Sequence, residues 1–397
     1  MMLPRARTFS CATAGGPGYL RLLRGHTAVW WSPVADLVST ITLLRDGSAE
    51  REACEQDLAR AGIRLPLPHR AGWALARRGV ESLCVVLRAQ DGRCVGAFAI
   101  DAAASRAVPG LRVLRIERFG EAVPRPLWPA AVDALVGVAH GERRVLRLTV
   151  EVFSRDAETR ARLGELLAQA GFARAAITRN WRTTLTLDLR PSEDELFASF
   201  STLARRALRS VAKLPVQVRP VDDTRLADRL EGLSRETFAR TGGRYEGLWD
   251  WAGVVELSRR VPDAARLVGL FRTDREGPDA LLGFAWGCWN GQSVSYVAGA
   301  SSRPTDLGRV WVVHPLFWDL ILWAKRGGAT WFDLGGVTTG TTGSGDPVGG
   351  ISDFKRLFSK HMAEVADDWV LEPRWLPARL AAVVSSGARW LSQVVRR

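Results

Sequence analysis

Residues 329–360 hold the side chains best placed to carry out chemistry in this 397-residue chain. The short apolar and aromatic run Ala329–Leu334 has the composition of a buried strand, and it includes Asp333 near its end. The following segment, 335–350, contains seven glycines, so its backbone can approach a ligand closely. Lys355 follows this segment. A carboxylate, an adaptable backbone and a cation in one stretch indicate a binding or catalytic site.

The predicted site consists of a strand end, a glycine-rich loop and a short helix. Gly335 and Gly336 start a loop that we expect to be mobile. Ser352 or Asp353 can cap the short helix that follows it. The pattern therefore predicts a flexible loop between a strand end and a basic helix.

Each candidate side chain has a chemical role and a structural alternative. Lys355 can hold a phosphate or stabilise the charge that forms on an acyl carbonyl during attack by an amine, or it can be a solvated lysine. Asp333 can orient the amine or accept its proton, or it can cap the glycine turn. Phe354 can stack on a base or sugar, or belong to the core. Tyr296, on the strand predicted before the site, is a further substrate-binding candidate.

A second basic feature lies upstream of the site. Residues 191–213 are predicted to form one long helix, because Ser192 and Glu195 make a capping-box pattern at its start. Arg205 and Arg206 lie on one face of this helix and are candidates for phosphate contacts, with a plain solvated face as the alternative.

Two ordered motifs in the chain resemble those of the Fem-type aminoacyltransferases. The first is WFDLGG followed by the glycine-rich gap and GISDFKRLFSKHM, with Ser359 at a position where the family usually has glycine. The second is TLTLDLRPSEDELFASFSTLARRALRSVAK, which resembles the strand, acidic helix start and arginine-rich helix of the family. The resemblance covers roughly residues 80–372.

This resemblance implies a fold and an activity. Fem-type enzymes contain two acetyltransferase-like (GNAT) domains and use aminoacyl-tRNA to add amino acids to amines of peptidoglycan precursors. The resemblance thus implies a cytoplasmic enzyme with an aminoacyl-tRNA donor and an anionic, amine-bearing acceptor from the cell envelope. A long coiled-coil arm, present in Gram-positive members, is not obvious in this sequence.

Length and charge are consistent with this interpretation. A chain of 397 residues is too long for one ordinary core, so we expect two domains. The net charge is +13, and arginine supplies 51 of the 55 basic residues. This excess can reflect the coding composition of a genome, and it also favours phosphate-bearing partners.

The order of predicted elements indicates an α/β (α+β) chain with tandem GNAT-like domains, each a mixed, mostly antiparallel sheet flanked by helices. We place an N-terminal domain at 1–190, a C-terminal domain with the site at 191–372, and an amphipathic helix at 373–397. In this interpretation a strand at 181–189 ends the first domain and a strand at 363–371 completes the second.

Cysteine usage and hydropathy indicate the compartment. Five cysteines without a CxxC spacing indicate neither a disulfide framework nor a zinc site, which favours a reducing compartment. The N-terminus lacks the apolar run of a signal peptide. No uncharged stretch reaches the length of about 18 residues that spans a bilayer. We therefore expect a cytoplasmic protein that is soluble or peripheral.

No cofactor or metal motif is present, which leaves the acyl donor open. A GNAT enzyme that uses acetyl-CoA is expected to have a glycine-containing pyrophosphate loop, but that region is SSRPTDLGRVWVVHP, in which Gly308 alone fits. Aminoacyl-tRNA is therefore our first donor, and acyl-CoA or an acyl carrier protein is the alternative. A third reading is a non-catalytic scaffold for envelope assembly. His314, which precedes Pro315, is interpreted mainly as a helix start.

The C-terminal segment 374–396 has apolar residues at helical spacing, flanking arginines and two tryptophans. Such a helix can pack on the second domain or lie on an anionic membrane surface.

Overall fold

A computed structural model describes residues 21–23, 27–30, 38–45, 48–142, 144–176, 182–241, 245–307, 310–346 and 348–373. The chain divides into two compact units. The first comprises 1–74, 79–179 and 366–397, and the second comprises 75–78 and 180–365. The 374–397 part of the predicted C-terminal helix lies outside the described residues.

The described residues form sixteen strands and ten α-helices. The strands are β1 (Arg21–Leu23), β2 (Thr27–Trp30), β3 (Thr40–Arg45), β4 (Val80–Arg88), β5 (Cys94–Ala104), β6 (Arg112–Ile116), β7 (Val145–Phe153), β8 (Ala173–Arg174), β9 (Thr183–Asp188), β10 (Val216–Pro220), β11 (Ala265–Arg272), β12 (Leu281–Asn290), β13 (Ser293–Ser301), β14 (Trp331–Gly336), β15 (Met362–Glu364) and β16 (Ala366–Leu371). The helices are α1 (Ala49–Arg60), α2 (Phe119–Ala122), α3 (Trp128–Gly141), α4 (Ala157–Gln169), α5 (Glu193–Ser199), α6 (Thr202–Val211), α7 (Ala227–Thr241), α8 (Trp251–Arg260), α9 (Val313–Arg326) and α10 (Gly349–Arg356).

Each unit contains one mixed sheet. Among the described residues, the first sheet has the order β1-β2-β3-β4-β5-β6-β7-β16-β8 and the second has the order β10-β11-β12-β13-β14-β9-β15. Each described sheet has one parallel pair, β6 with β7 and β13 with β14. A parallel pair needs a crossover connection, and these connections contain α3 and α9. The prediction of two mixed, mostly antiparallel sheets flanked by helices is confirmed.

Two strands lie in a different sheet from the one that we predicted. The segment 181–189, placed in the first domain, forms β9 and pairs with β14 of the second sheet. The segment 363–371, placed in the second domain, divides at Val365, whose N–H donates to the Arg182 carbonyl. Its first part is β15, which pairs with β9, and its second part is β16, which pairs with β7 of the first sheet. Strand propensity is local, whereas the choice of a sheet edge depends on residues far away in sequence.

The predicted long helix 191–213 is interrupted. The capping box of Ser192 and Glu195 is confirmed at the start of α5. Phe200 then adopts an extended backbone, and Ser201 caps α6 by accepting a hydrogen bond from the Ala204 N–H. The Ser201 N–H also donates to the Leu357 carbonyl, which joins the break to the segment after α10.

The core of the second unit is centred on β12. All ten residues of this strand are buried, because helices cover both faces. A Cβ at Gly287 would contact Leu320 of α9, whereas the Phe284 ring lies 4.7 Å from that of Trp251 in α8. The β12–β13 hairpin confirms the predicted turn at Asn290 and Gly291.

The cysteine pattern predicted no disulfide framework, and this prediction is wrong. Cys54 of α1 and Cys94 of β5 form a disulfide with a Cα–Cα distance of 5.6 Å. They are 40 residues apart, and an odd number of cysteines gives no signal for the pair. Cys84 and Cys288 are buried and take no part in this disulfide. None of the described helices is long and apolar enough to cross a membrane.

A close backbone contact in the second unit gives a stability test. A Cβ at Gly253, in the first turn of α8, would lie 1.7 Å from the Leu75 carbonyl oxygen, so we expect Gly253→Ala to destabilise the unit by more than about 3 kcal/mol. Gly232 in α7 is the matched control. It has no atoms near its Cβ position, and Gly232→Ala should stabilise by about 0.5–1 kcal/mol. Thermal unfolding of both variants measures the contrast, and equal melting temperatures would contradict this packing.

Candidate active site

The site lies where two parallel strands of the second unit separate. β13 and β14 pair through Ser293, Val294 and Ser295 opposite residues 331–333. Beyond these pairs the strands no longer form a ladder, although both continue, so a fork opens between them. β13 also has an irregular register at this point, since Gly287 pairs with Tyr296 while Trp286 pairs with Ala298. A bulge of this kind redirects side chains beside a site.

Asp333 is the last β14 residue before the fork, and it is 4% exposed. Its carboxylate accepts hydrogen bonds from the hydroxyl of Thr184 on β9, from the Gly335 N–H at 2.8 Å and from the Ser295 hydroxyl at 3.2 Å. These contacts fix the carboxylate between two neighbouring strands and the glycine turn. The turn-capping alternative for Asp333 is thus present in the structure.

Lys355 of α10 places its ammonium group at the fork. The Nζ atom donates to the Gly336 carbonyl at 2.8 Å, and the residue is 6% exposed. Burial lowers its pKa to about 8, while the negative charge of Asp333 opposes this shift. A Cβ at Gly335 would lie 3.1 Å from Nζ, and this glycine has a φ of +82°. A side chain at position 335 would therefore be strained by the backbone conformation and would crowd the ammonium.

Tyr296 and Phe354 line the apolar side of the site. The Tyr296 ring centroid lies 5.8 Å from the Lys355 Nζ and 4.4 Å from the Phe317 ring. Burial raises the pKa of the Tyr296 hydroxyl. The half-buried Phe354 ring packs edge-on against Phe317 at 4.9 Å and lies 5.4 Å from Phe358. Phe354 thus belongs to an aromatic cluster and also reaches the surface.

The glycine-rich loop is tethered, in contrast to the mobile loop that we predicted. Arg356 donates to the carbonyls of Thr338 and Gly340, and Asp353 accepts from the N–H and hydroxyl of Thr342. Ser352 accepts from the Thr338 N–H. The predicted capping role of Ser352 and Asp353 is wrong, because α10 begins earlier, at Gly349, and both side chains bind the loop instead.

The two arginine candidates on α6 differ in their contacts. Arg205 donates to the Ala198 carbonyl at 2.6 Å and to the Thr202 hydroxyl at 3.3 Å, so it joins α5 to α6. Arg206 is exposed and makes no ion pair within the described residues. The Phe200 ring at the helix break lies 5.1 Å from Phe358. α6 is thereby anchored to the segment that follows Lys355.

Several residues that shape the site were missed by sequence reasoning. Thr184 lies 149 residues before its partner Asp333, and no local pattern connects them. Ser359, at the position where the resembling motif usually has glycine, donates to the Thr186 carbonyl at 2.7 Å and ties the segment after α10 to β9. Arg356 was also missed. Its place directly after Lys355 in the resembling motif was a sequence signal that could have identified it as a residue of the site.

We expect the Lys355 ammonium to titrate near pH 8. In the unfolded chain the lysine keeps its proton up to a pH of about 10.5. Between pH 8 and pH 10.5 the unfolded state therefore binds more protons than the native state. The free energy of unfolding should therefore rise with pH across this window in the wild type relative to Lys355→Met. Lysine-selective ¹³C labelling and NMR can follow the titration, since the chain has four lysines. The Lys355 resonance is the one that disappears in Lys355→Met. A titration midpoint above pH 10 for this resonance would contradict the buried position.

Comparisons with known proteins show which fold the chain shares. Residues 198–356 match the acetyltransferase (GNAT) domain family. The structure is similar to that of FemX, with a TM-score of 0.58 and 17% identity over 76% of this chain and 92% of that chain. It is also similar to L-PGS from Bacillus licheniformis, with a TM-score of 0.48 and 14% identity over 84% of this chain and 96% of that chain. No curated protein matches the sequence. The chain thus has the tandem GNAT-like fold that FemX has, and the segment similar to the GNAT domain family lies in its second unit.

Proposed function

We propose that the second unit catalyses acyl transfer to an amine, with the donor carbonyl bound at the fork between β13 and β14. The observation that supports this proposal most strongly is the buried ammonium of Lys355. An ammonium group has three N–H donors, and one of them bonds to the Gly336 carbonyl. The others can donate to a carbonyl oxygen as it gains negative charge.

The protonation state suits this role. With a pKa of about 8, Lys355 is mostly charged at neutral pH and acts as a hydrogen-bond donor. When the amine attacks, the carbon–nitrogen bond forms, the carbonyl oxygen becomes an oxyanion beside Nζ, and collapse expels the donor alcohol or thiol. The amine proton leaves with that group or with water.

We propose a positioning role for Asp333. Its carboxylate already accepts hydrogen bonds from Thr184, Ser295 and Gly335, and it supplies the negative charge that favours the ammonium of Lys355. A carboxylate held in this way can orient its neighbours. Because an acyl ester is already activated, positioning and charge stabilisation can supply much of the rate.

We propose aminoacyl-tRNA as the donor and an amine of an anionic cell-envelope precursor as the acceptor, at the cytoplasmic side. The Fem-like motifs, the exposed Arg206 and the incomplete CoA loop in the sequence support this donor. The FemX-like fold is compatible with it. Phe354, Gly335 and Gly336 would contact the substrate, together with Tyr296.

The second candidate is an N-acyltransferase that uses acyl-CoA or an acyl carrier protein. The match of residues 198–356 to an acetyltransferase domain favours it. A non-catalytic scaffold is less well supported, because burying an ammonium group costs stability and a scaffold gains nothing from it.

Transfer assays distinguish the two donors and test Lys355. We expect label from charged tRNA to appear on amines of an envelope extract, and Lys355→Met to lower this rate by roughly 100-fold or more. Lys355→Arg should restore it only partly, because a planar guanidinium differs from a point charge. Lys360→Met, at an exposed position in the segment after α10, is the matched control. Transfer from acyl-CoA alone would select the second candidate, and an active Lys355→Met enzyme would contradict the mechanism.

We also propose that the segment 374–396 holds the enzyme at an anionic membrane surface. Its arginines and tryptophans would favour such a surface, with each basic residue adding about 1 kcal/mol. The full chain should then sediment with anionic liposomes, and a chain ending at Glu372 should stay folded but lose this binding. A lowered melting temperature in the truncated chain, with no liposome binding by the full chain, indicates a packing helix instead.

A further inference from the structure

A disulfide joins helix α1 of the first unit to the sheet on which the helix packs. Cys54 lies in α1 and Cys94 is the first residue of β5, and their Cα atoms are 5.6 Å apart. Both residues are buried, with exposures of 2% and 5%. Cys94 nevertheless follows the exposed turn residues 91–93 directly. The cross-link therefore ties one helix to the sheet at a point close to solvent.

The first sheet has a separate apolar cluster on each face. Leu83, Val85 and Leu87 of β4 belong to a large cluster that includes residues of α3 and α4. Cys84 and Val86, which alternate with them, belong to a smaller cluster on the opposite face, which we call the α1 cluster. The buried members of the α1 cluster are Leu44, Cys54, Leu58, Leu65, Cys84, Val86, Cys94 and Ala97. The disulfide thus lies outside the large cluster.

Polar contacts also anchor α1 to the rest of the first unit. The Arg51 guanidinium is fully buried and donates to the Ser82 hydroxyl at 3.1 Å and to the Arg70 carbonyl at 2.9 Å. In the first turn of the helix, Glu50 accepts a hydrogen bond from Arg88 of β4 at 2.8 Å. These anchors do not depend on the sulfur–sulfur bond. We therefore expect the bond to open and close without unfolding of the unit.

Cysteine usage favours a reversible bond over a permanent one. Domains that need disulfides to fold are small and rich in cysteine, whereas this chain has five cysteines in 397 residues and its first unit has a large apolar core. In a reducing compartment, two neighbouring cysteines are thiols at rest, and a disulfide that forms there is usually transient or redox-sensing. A pair that lies in the smaller cluster and close to solvent suits such a site.

We propose that Cys54 and Cys94 form a reversible redox site that controls how firmly α1 is docked on the first sheet, with hydrogen peroxide as the oxidant and a dithiol as the reductant. One cysteine sulfur attacks a peroxide oxygen, becomes a sulfenic acid and releases one water. The second sulfur attacks the sulfenic sulfur, which forms the S–S bond and releases another water, so two electrons pass to the peroxide. The dithiol reverses this step by thiol–disulfide exchange. The inference is independent of the proposed acyl transfer.

Mass spectrometry of the full chain tests the chemistry of the pair. We expect protein reduced with dithiothreitol to lose two hydrogens when treated with hydrogen peroxide, and peptide mapping to find Cys54 joined to Cys94. Dithiothreitol should then restore both thiols without denaturant. Failure to form this link, or a link through another cysteine instead, would overturn the inference. So would a link that resists dithiothreitol until the protein is unfolded, because the bond would then be a permanent part of the fold.

Amide hydrogen exchange of the oxidised and reduced wild type tests the effect on α1. We expect the amides of α1 to exchange roughly tenfold faster or more in the reduced form, because the cross-link no longer limits local opening of the helix. Exchange in β12 of the second unit should be the same in both forms. Equal exchange of the α1 amides in the two forms would contradict control of this helix by the redox state.

Two variants assign the response to the pair. A double variant with Cys54→Ala and Cys94→Ala cannot form the bond, so its α1 amides should exchange at the same rate with and without peroxide. Cys288→Ala removes a buried cysteine of β12 and should respond to peroxide as the wild type does. An α1 response that persists in the double variant, or that disappears in Cys288→Ala, would assign the effect to another group and rule out this site.

Discussion

The burial of the Lys355 ammonium where two parallel strands separate is the constraint on which the site depends. A charged group with 6% exposure needs a hydrogen-bond acceptor and a nearby opposite charge, and these are the Gly336 carbonyl and Asp333. It also needs space, which Gly335 provides by having no side chain. The residues around the fork thus share one role, which is to accommodate the buried positive charge of Lys355.

Contacts remote from the fork keep the lysine in place. Arg356 holds the glycine-rich loop through the carbonyls of Thr338 and Gly340, and Ser359 ties the segment after α10 to β9. Phe200, at the break between α5 and α6, packs against Phe358. Because a misplaced catalytic group loses much of its effect, we expect these tethers to support the proposed chemistry.

Most local elements could be predicted from the sequence, although the predicted helix 191–213 and strand 363–371 each divide in two, and Asp333 and Lys355 could be selected as candidates. Asp333 and Lys355 stand on either side of a glycine-rich segment, a pattern that local spacing shows directly. Partners distant in sequence could not be predicted: the Thr184 hydroxyl, the pairing of β16 with β7, and the disulfide of Cys54 with Cys94 depend on the folded chain. The burial of His314 in the first turn of α9 could not be predicted either, because it depends on residues outside that helix.

The central claim is that Lys355 stabilises the oxyanion formed during acyl transfer. Binding of a transition-state mimic tests it most directly, with an aminoacyl-adenosine in which tetrahedral phosphorus replaces the acyl carbon compared with the corresponding amide. Our account predicts that the wild type binds the phosphorus compound roughly 100-fold more tightly than the amide and that Lys355→Met loses most of this difference. An equal ratio of the two affinities in wild type and Lys355→Met would contradict it.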